Sequence, residues 1–204
     1  MLPADFAGRI IEKAKSLFDV AGAVALPDGD YLLVLGLEST SERNLDDFGH
    51  AGGGFQMYGF RKYARPRLNS LLNFIHACGF TAVPVGRYGY PLGGETNLKK
   101  LAVTAGLGAR GKSTIILHPE FGPRLRLMAV RTNAPLQPFV SETDTPEREN
   151  EICRTCSTCI DVCPTGVLEP YRMIDPVRCL SNITPKTEDG RSILCDECLR
   201  QCPA

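Results

Sequence analysis

Eight of the nine cysteines lie between Cys153 and Cys202, and their spacing limits what this chain can be. The first block reads Cys153-x2-Cys156-x2-Cys159-x3-Cys163-Pro164. The second is Cys179, followed by Cys195-x2-Cys198-x3-Cys202-Pro203. Runs of the first kind, proline included, hold [4Fe–4S] clusters, and their fourth cysteine serves the other cluster of a pair. Two-residue gaps let three thiolates wrap one corner of a cubane, while the fourth points away. By that pattern one cluster takes Cys153, Cys156, Cys159 and Cys202, and the other takes Cys163, Cys179, Cys195 and Cys198. Structural zinc also uses Cys-x2-Cys pairs, but it has no need of a crossed fourth cysteine. A disulfide framework fits poorly, because Met1-Leu2-Pro3-Ala4-Asp5 lacks the basic start and apolar stretch of a signal peptide. The expectation is a cytoplasmic, cluster-bearing protein, since thiols there stay reduced.

The residues before Cys153 are more than a ferredoxin-like cluster carrier needs, so a body is expected that receives or spends the electrons. A chain of 204 residues that is 43% hydrophobic can bury a real core. Lys+Arg and Asp+Glu balance at 23 each, which leaves no overall electrostatic footprint for nucleic acid or an anionic membrane. No apolar run approaches the roughly 18–20 residues that span a bilayer. Helical periodicity marks residues 5–18, 66–78 and 96–105, with Gly79 and Gly106 as stops. Strands are expected at 31–37, 80–85, 114–118 and 125–131. Residues 49–54 are rich enough in glycine to read as a loop. Residues 132–150, with their prolines and charges, read as a linker. The fold class is therefore α+β, with a body over 1–147 and a ferredoxin-like two-cluster module over 148–204. Cys78, at the end of an apolar helix face, reads as a small buried hydrophobe.

Gly106-Leu107-Gly108-Ala109-Arg110-Gly111-Lys112-Ser113 fits both the P-loop pattern and the dinucleotide fingerprint. Both need a strand before and a helix after, so that phosphate meets a helix N-terminus. Here a helical segment precedes and the β-branched Ser113-Thr114-Ile115-Ile116 follows. The loop reads instead as a helix end and a tight glycine turn, with backbone bare enough for a large flat ligand. His50, His76 and His118 have no metal spacing.

Thr104-Ala105-Gly106-Leu107-Gly108-Ala109-Arg110-Gly111-Lys112-Ser113-Thr114 resembles the AGLGxxGK(N/H)T segment of epoxyqueuosine reductases. Pro119-Glu120-Phe121-Gly122 is similar to their P-E-x-G-S turn, and the tail from Cys153 through Asp175, Arg178 and Cys179 to Cys202 resembles their cluster region. The resemblance is closest over 100–204. With the related reductive dehalogenases, it implies a nitroreductase-like body carrying cobalamin, fed by two [4Fe–4S] clusters. It also implies that Gly106, Gly108, Gly111, Lys112 and Ser113 lie at the corrinoid. The Asp-Ser-Ala-Pro segment of epoxyqueuosine reductases is replaced by Tyr90-Pro91-Leu92-Gly93-Gly94-Glu95, which makes Tyr90 and Glu95 the candidate catalytic acids. No helical repeats follow Cys202 in the sequence, so tRNA is not the expected substrate. The implied activity is a cobalamin-dependent reduction, with ferredoxin or flavodoxin as electron donor. The alternative is an electron-transfer protein that serves a partner, such as a corrinoid protein needing reactivation.

Overall fold

A computed structural model describes residues 3–51, 54–85, 96–139, 148–184 and 191–204. Helix α1 (Pro3–Leu17) buries Ala7, Ile10 and Ala14 on one face. A hairpin follows, β1 (Val20–Ala25) against β2 (Tyr31–Glu38). A second hairpin pairs β3 (Asp47–Ala51) with β4 (Gly54–Met57). A π-helical turn, Phe60–Ala64, leads into α2 (Arg65–Ala77), and β5 (Ala82–Val85) follows. Then come α3 (Leu98–Thr104), the short strands β6 (Ala109–Arg110) and β7 (Ile116–Leu117), and β8 (Leu125–Thr132).

The tail begins with a 3-10 turn, Glu151–Arg154, and α4 (Thr158–Asp161). It continues with β9 (Leu168–Glu169), β10 (Arg172–Met173), α5 (Pro176–Ser181) and β11 (Ile183–Thr184). It closes with β12 (Arg191–Leu194) and α6 (Glu197–Arg200). Among the described residues no helix is long and apolar enough to cross a membrane.

The body rests on the sheet β1-β2-β8-β5, antiparallel at every joint. Strand β2 is apolar without a break because both of its faces are covered. Leu33, Leu35 and Leu37 pack with Ile10, Leu68, Leu71 and Ile75 of α1 and α2. Leu32 and Val34 pack with Ala102, Val103 and Leu107 on the other side. The period-two alternation of a strand separates these two sets. Mixed helices and strands therefore form the expected α/β arrangement, with helices covering a sheet.

Two expectations are corrected here. Residues 49–54 are not a loop: Gly49, His50, Ala51 and Gly54 lie in the β3–β4 hairpin, with Gly49 opposite Gln56 and His50 opposite Phe55. Glycine has little strand preference of its own, but β3 is paired on both sides. Arg191 lies opposite Gly49 and Ser192 opposite Phe48, so β12 of the tail completes the sheet β11-β12-β3-β4. Tertiary pairing overrides local propensity at these positions. The second correction is Cys78, which is half-buried as the C-cap of α2 rather than a core residue. The buried face of α2 ends at Ile75. Gly79 does end the helix as expected, at φ +88°: its N–H donates to the His76 carbonyl at 2.9 Å, and the Phe80 N–H donates to the Ile75 carbonyl at 3.2 Å.

Candidate redox site

The tail positions its cysteines with short capped turns. The Asn150 side chain accepts from the Ile152 N–H at 3.1 Å and starts the turn that buries Cys153. Helix α4 carries Cys159, also buried. The Asp175 side chain accepts from the Arg178 N–H at 2.9 Å and caps α5, which presents Cys179. The Cys195 N–H donates to the Asn182 carbonyl at 3.0 Å, and α6 presents Cys198.

The electrostatic neighbours of these thiols fall into two groups. Burial pushes Cys159 up, and Cys153, Cys202 and Cys156 push it further. Burial also raises Cys202, with Cys153 and Cys156 adding to it. In the other group burial raises Cys179, helped by Cys163 and Cys195. Cys198 is pushed up to about 12, first by burial and then by Cys179, Cys195, Cys159 and Cys163. Cys153, Cys156, Cys159 and Cys202 thus act on one another, as do Cys163, Cys179, Cys195 and Cys198, and Cys159 and Cys198 link the two groups. Two thiols run the other way. The hydrogen bond with Thr158 lowers Cys156. At Cys163 burial is outweighed by hydrogen bonds from Thr165 and from the backbone of Val167 and Gly166. Among the described residues no three His, Cys, Asp or Glu side chains converge on a single-ion site.

The crowding has a consequence for the metal-free chain. The Cys198 thiol holds its proton more tightly in the fold than its ordinary value near 9. As pH rises the unfolded chain loses that proton first, so this contribution to stability is present below about pH 9 and is lost towards pH 12. Urea unfolding of the metal-free protein is expected to show a lower midpoint at about pH 10 than at about pH 8, and Cys198→Ser shrinks the difference. Equal midpoints in the unsubstituted chain would contradict this placement of the thiol.

The glycine-rich loop docks onto the first thiol group. Helix α3 ends at Gly106, φ +74°, and β6 and β7 form a hairpin around residues 111–115. Strand β7 pairs with β6 and not with β8, and no helix follows the loop, so the phosphate-binding readings fail as the sequence implied. The Lys112 N–H donates to the Cys153 sulfur at 3.5 Å, and its Nζ donates to the Cys156 carbonyl at 2.8 Å. The Lys112 carbonyl accepts from the Tyr171 N–H at 2.9 Å. The Arg110 guanidinium lies over the Tyr171 ring, 5.4 Å from its centre, and donates to the Tyr171 carbonyl. Ser113 is buried. His76 and His118 are structural: His76 Nε2 meets the Ala82 carbonyl at 3.1 Å, and His118 Nδ1 accepts from the Glu120 N–H at 3.1 Å.

A cavity of about 400 Å3 opens between the body and the second thiol group. Its walls include Lys99, Ile116 and Leu127 from the body and Leu194, Cys195 and Leu199 from the tail. An ion pair of Arg126 with Asp46 at 2.6 Å closes one side. Gly106, Gly108, Gly111, Lys112 and Ser113 are not among the described lining residues. Tyr90 and Glu95 lie outside the described residues. Lys99 and Thr114 are the site residues that the sequence reading missed. Lys99 Nζ donates to Thr114 Oγ1 at 3.1 Å. Burial lowers the Lys99 ammonium, and Arg110 lowers it further. The signal was available, because Lys99 shares a helix side with Ala102 and Val103, both buried, at i+3 and i+4.

No family model matches the chain. The epoxyqueuosine reductase of Listeria monocytogenes is 35% identical over 120 residues, which is 54% of this chain and 30% of that protein. The tetrachloroethene reductive dehalogenase of Desulfitobacterium hafniense is 33% identical over 110 residues, 51% of this chain and 19% of that one. This chain is a homologue of the epoxyqueuosine reductases and reductive dehalogenases. It spans under a third of the length of these curated relatives. The solved epoxyqueuosine reductase of Bacillus subtilis superposes with a TM-score of 0.69 at 20% identity, covering 99% of this chain and 66% of that one. A solved reductive dehalogenase, described with a mechanism for B12-dependent dehalogenation, gives 0.58 at 16% identity, covering 95% of this chain and 31% of that one. These likenesses establish a shared mixed α/β fold over nearly the whole chain. The relatives are reductases and dehalogenases by name, so the alternative of a donor that only serves a partner finds no support among them.

Proposed function

We propose that this chain is an iron–sulfur reductase that passes low-potential electrons from two [4Fe–4S] clusters to a molecule held in the cavity beside Cys195. The observation that carries the reading is the shared wall: Cys195 belongs to the second thiol group and also lines the 400 Å3 cavity. A cluster on Cys163, Cys179, Cys195 and Cys198 would stand at the edge of that cavity. A cluster on Cys153, Cys156, Cys159 and Cys202 would stand behind it. The donors fit such groups, since soft thiolates in fours are the ligands of cubane clusters. When bound, the clusters supply single electrons at low potential.

The chain's own residues hold that arrangement. Lys112 and Thr158 fix the Cys153–Cys159 turn, Thr165 holds Cys163, and Asp175 sets α5. Leu127, Leu194 and Leu199 give the cavity an apolar wall. Reduction also consumes protons, and Tyr90 and Glu95 remain the sequence candidates for delivering them. A ferredoxin or flavodoxin is the donor that clusters of this kind accept electrons from. Cobalamin is the acceptor that the B12-dependent relative suggests. A cavity of 400 Å3 is of small-molecule size. A whole corrinoid is larger, so the described residues alone do not enclose one.

The test is reconstitution followed by an anaerobic titration with cob(II)alamin, read by EPR. Two reducible cluster signals are expected. Reconstituted protein that holds no reducible cluster overturns the reading. A base-off cobalt signal at equal stoichiometry makes the acceptor a corrinoid, and an unchanged cobalt spectrum removes cobalamin from the site.

A further inference from the structure

Beside the larger cavity lies a second concavity of about 170 Å3. The two share Asn97, Lys99, Thr114 and Ile116, so they adjoin along α3 and the β6–β7 turn. Their chemistry differs. The larger is lined by leucines and isoleucines together with Asp46, Arg126 and Asp196, whereas the smaller brings Lys99 and Arg110 together, and among the described residues no carboxylate lines it. Arg110 and Lys99 repel one another there, and an anion between them removes that cost.

The geometry is prepared for such a guest. Thr114 sits at φ +68°, a conformation a β-branched residue rarely adopts, and this turn brings its hydroxyl to 3.1 Å from Lys99 Nζ. Strained backbone of this kind gathers at ligand clamps. Arg110 is steadied by its stack on Tyr171 and its bond to the Tyr171 carbonyl. A guanidinium presents a planar fork that suits carboxylate and phosphate oxygens.

We propose that the smaller pocket binds the anionic end of the molecule reduced in the larger cavity, a carboxylate or phosphate held by Lys99, Arg110 and Thr114. This rests on reading the larger cavity as the place of reduction. The substrate class is then a small organic anion with an apolar body.

Isothermal titration of the cluster-loaded protein tests this without turnover. The probes are benzoate, its neutral isostere benzamide, and inorganic phosphate. Benzoate or phosphate is expected to bind more weakly as salt rises. Whichever anion binds identifies the preferred head group. Benzamide and the Lys99→Met variant should each cost about tenfold or more in affinity, the worth of a hydrogen bond to a charged group. Lys99→Arg should recover part of the loss. Thr114→Gly relieves the backbone while deleting the hydroxyl, so binding should weaken with no fall in melting temperature. Benzamide binding as well as benzoate, no anion binding at all, or Lys99→Met binding unchanged would each overturn the proposal. Failure of the underlying redox reading looks different: anion binding persists in protein that holds no reducible cluster.

Discussion

Cys198→Ala should remove about half of the roughly eight irons that two cubane clusters would bring. Cys198 is the most strongly raised thiol of the tail, with Cys179, Cys195, Cys159 and Cys163 around it. Iron binds thiolate, so a thiol pushed up to about 12 gives up its proton only when the metal neutralises the crowd. Deleting it strikes the centre of the second group, where burial leaves water poorly placed to substitute. Cys156 is the contrasting case. The hydrogen bond with Thr158 lowers it, and no crowd of thiols pushes it up. Cys156→Ala should therefore lower iron less and damage the first cluster more than the second. Iron and sulfide analysis with EPR on reconstituted variants separates the two. Full iron content in Cys198→Ala would remove that residue from the ligand set.

Gly108→Ala should destabilise the fold by about 3 kcal/mol or more, enough to impair folding of a marginal domain. Gly108 sits at φ +140°, a conformation largely closed to other residues. A Cβ there would lie 2.5 Å from the Leu117 carbonyl oxygen and 2.9 Å from Ile116 Cγ2. The carbonyl belongs to the paired strand β7 and has nowhere to go. Gly106→Ala should cost less, about 1–2 kcal/mol for the left-handed backbone. The atoms its Cβ would meet, at 2.8 Å, belong to the exposed Phe139 ring, which can swing aside. Urea midpoints of the two variants give the order. If Gly108→Ala were as stable as Gly106→Ala, the hairpin geometry of this loop would be wrong. Valine at either position would therefore report on folding before it reported on any cofactor.

The tail was the most legible part of the sequence. Its cysteine spacing is set by local turns, so residues two or three apart announce their own grouping, and the electrostatic neighbours of the thiols follow a similar division. Helices α1 and α2 were legible because their apolar faces repeat at 3.6 residues, and Gly79 and Gly106 mark the stops of α2 and α3 by conformations that glycine adopts cheaply. Strand β1 was not singled out, because Val20–Ala25 is short and rich in alanine and glycine, and only its pairing with β2 makes it a strand. Strand β3 was misread for the same reason. The glycine-rich loop was recognised by resemblance and assigned to cofactor, and its described contacts include Cys153, Cys156 and Tyr171, which that resemblance did not foretell. Lys99 was hidden by its neighbours: in Leu98-Lys99-Lys100-Leu101 two adjacent lysines read as a solvated face, and only the tail's arrival buries one of them.

The pairing of β12 with β3 joins residues made far apart in time. Asp47 and Arg191 stand 144 positions apart and meet in an ion pair at 3.3 Å. During synthesis the β3–β4 hairpin must wait for most of the chain, and a lone hairpin is marginal in water. Cys195, Cys198 and Cys202 follow directly after β12, so both thiol groups also remain incomplete until then. Closing the sheet and completing the two thiol groups are therefore one late event. Until β12 arrives, β3 keeps an unshielded edge that another chain could pair with, so the tail acts as a cover for the body as well as a carrier of thiols.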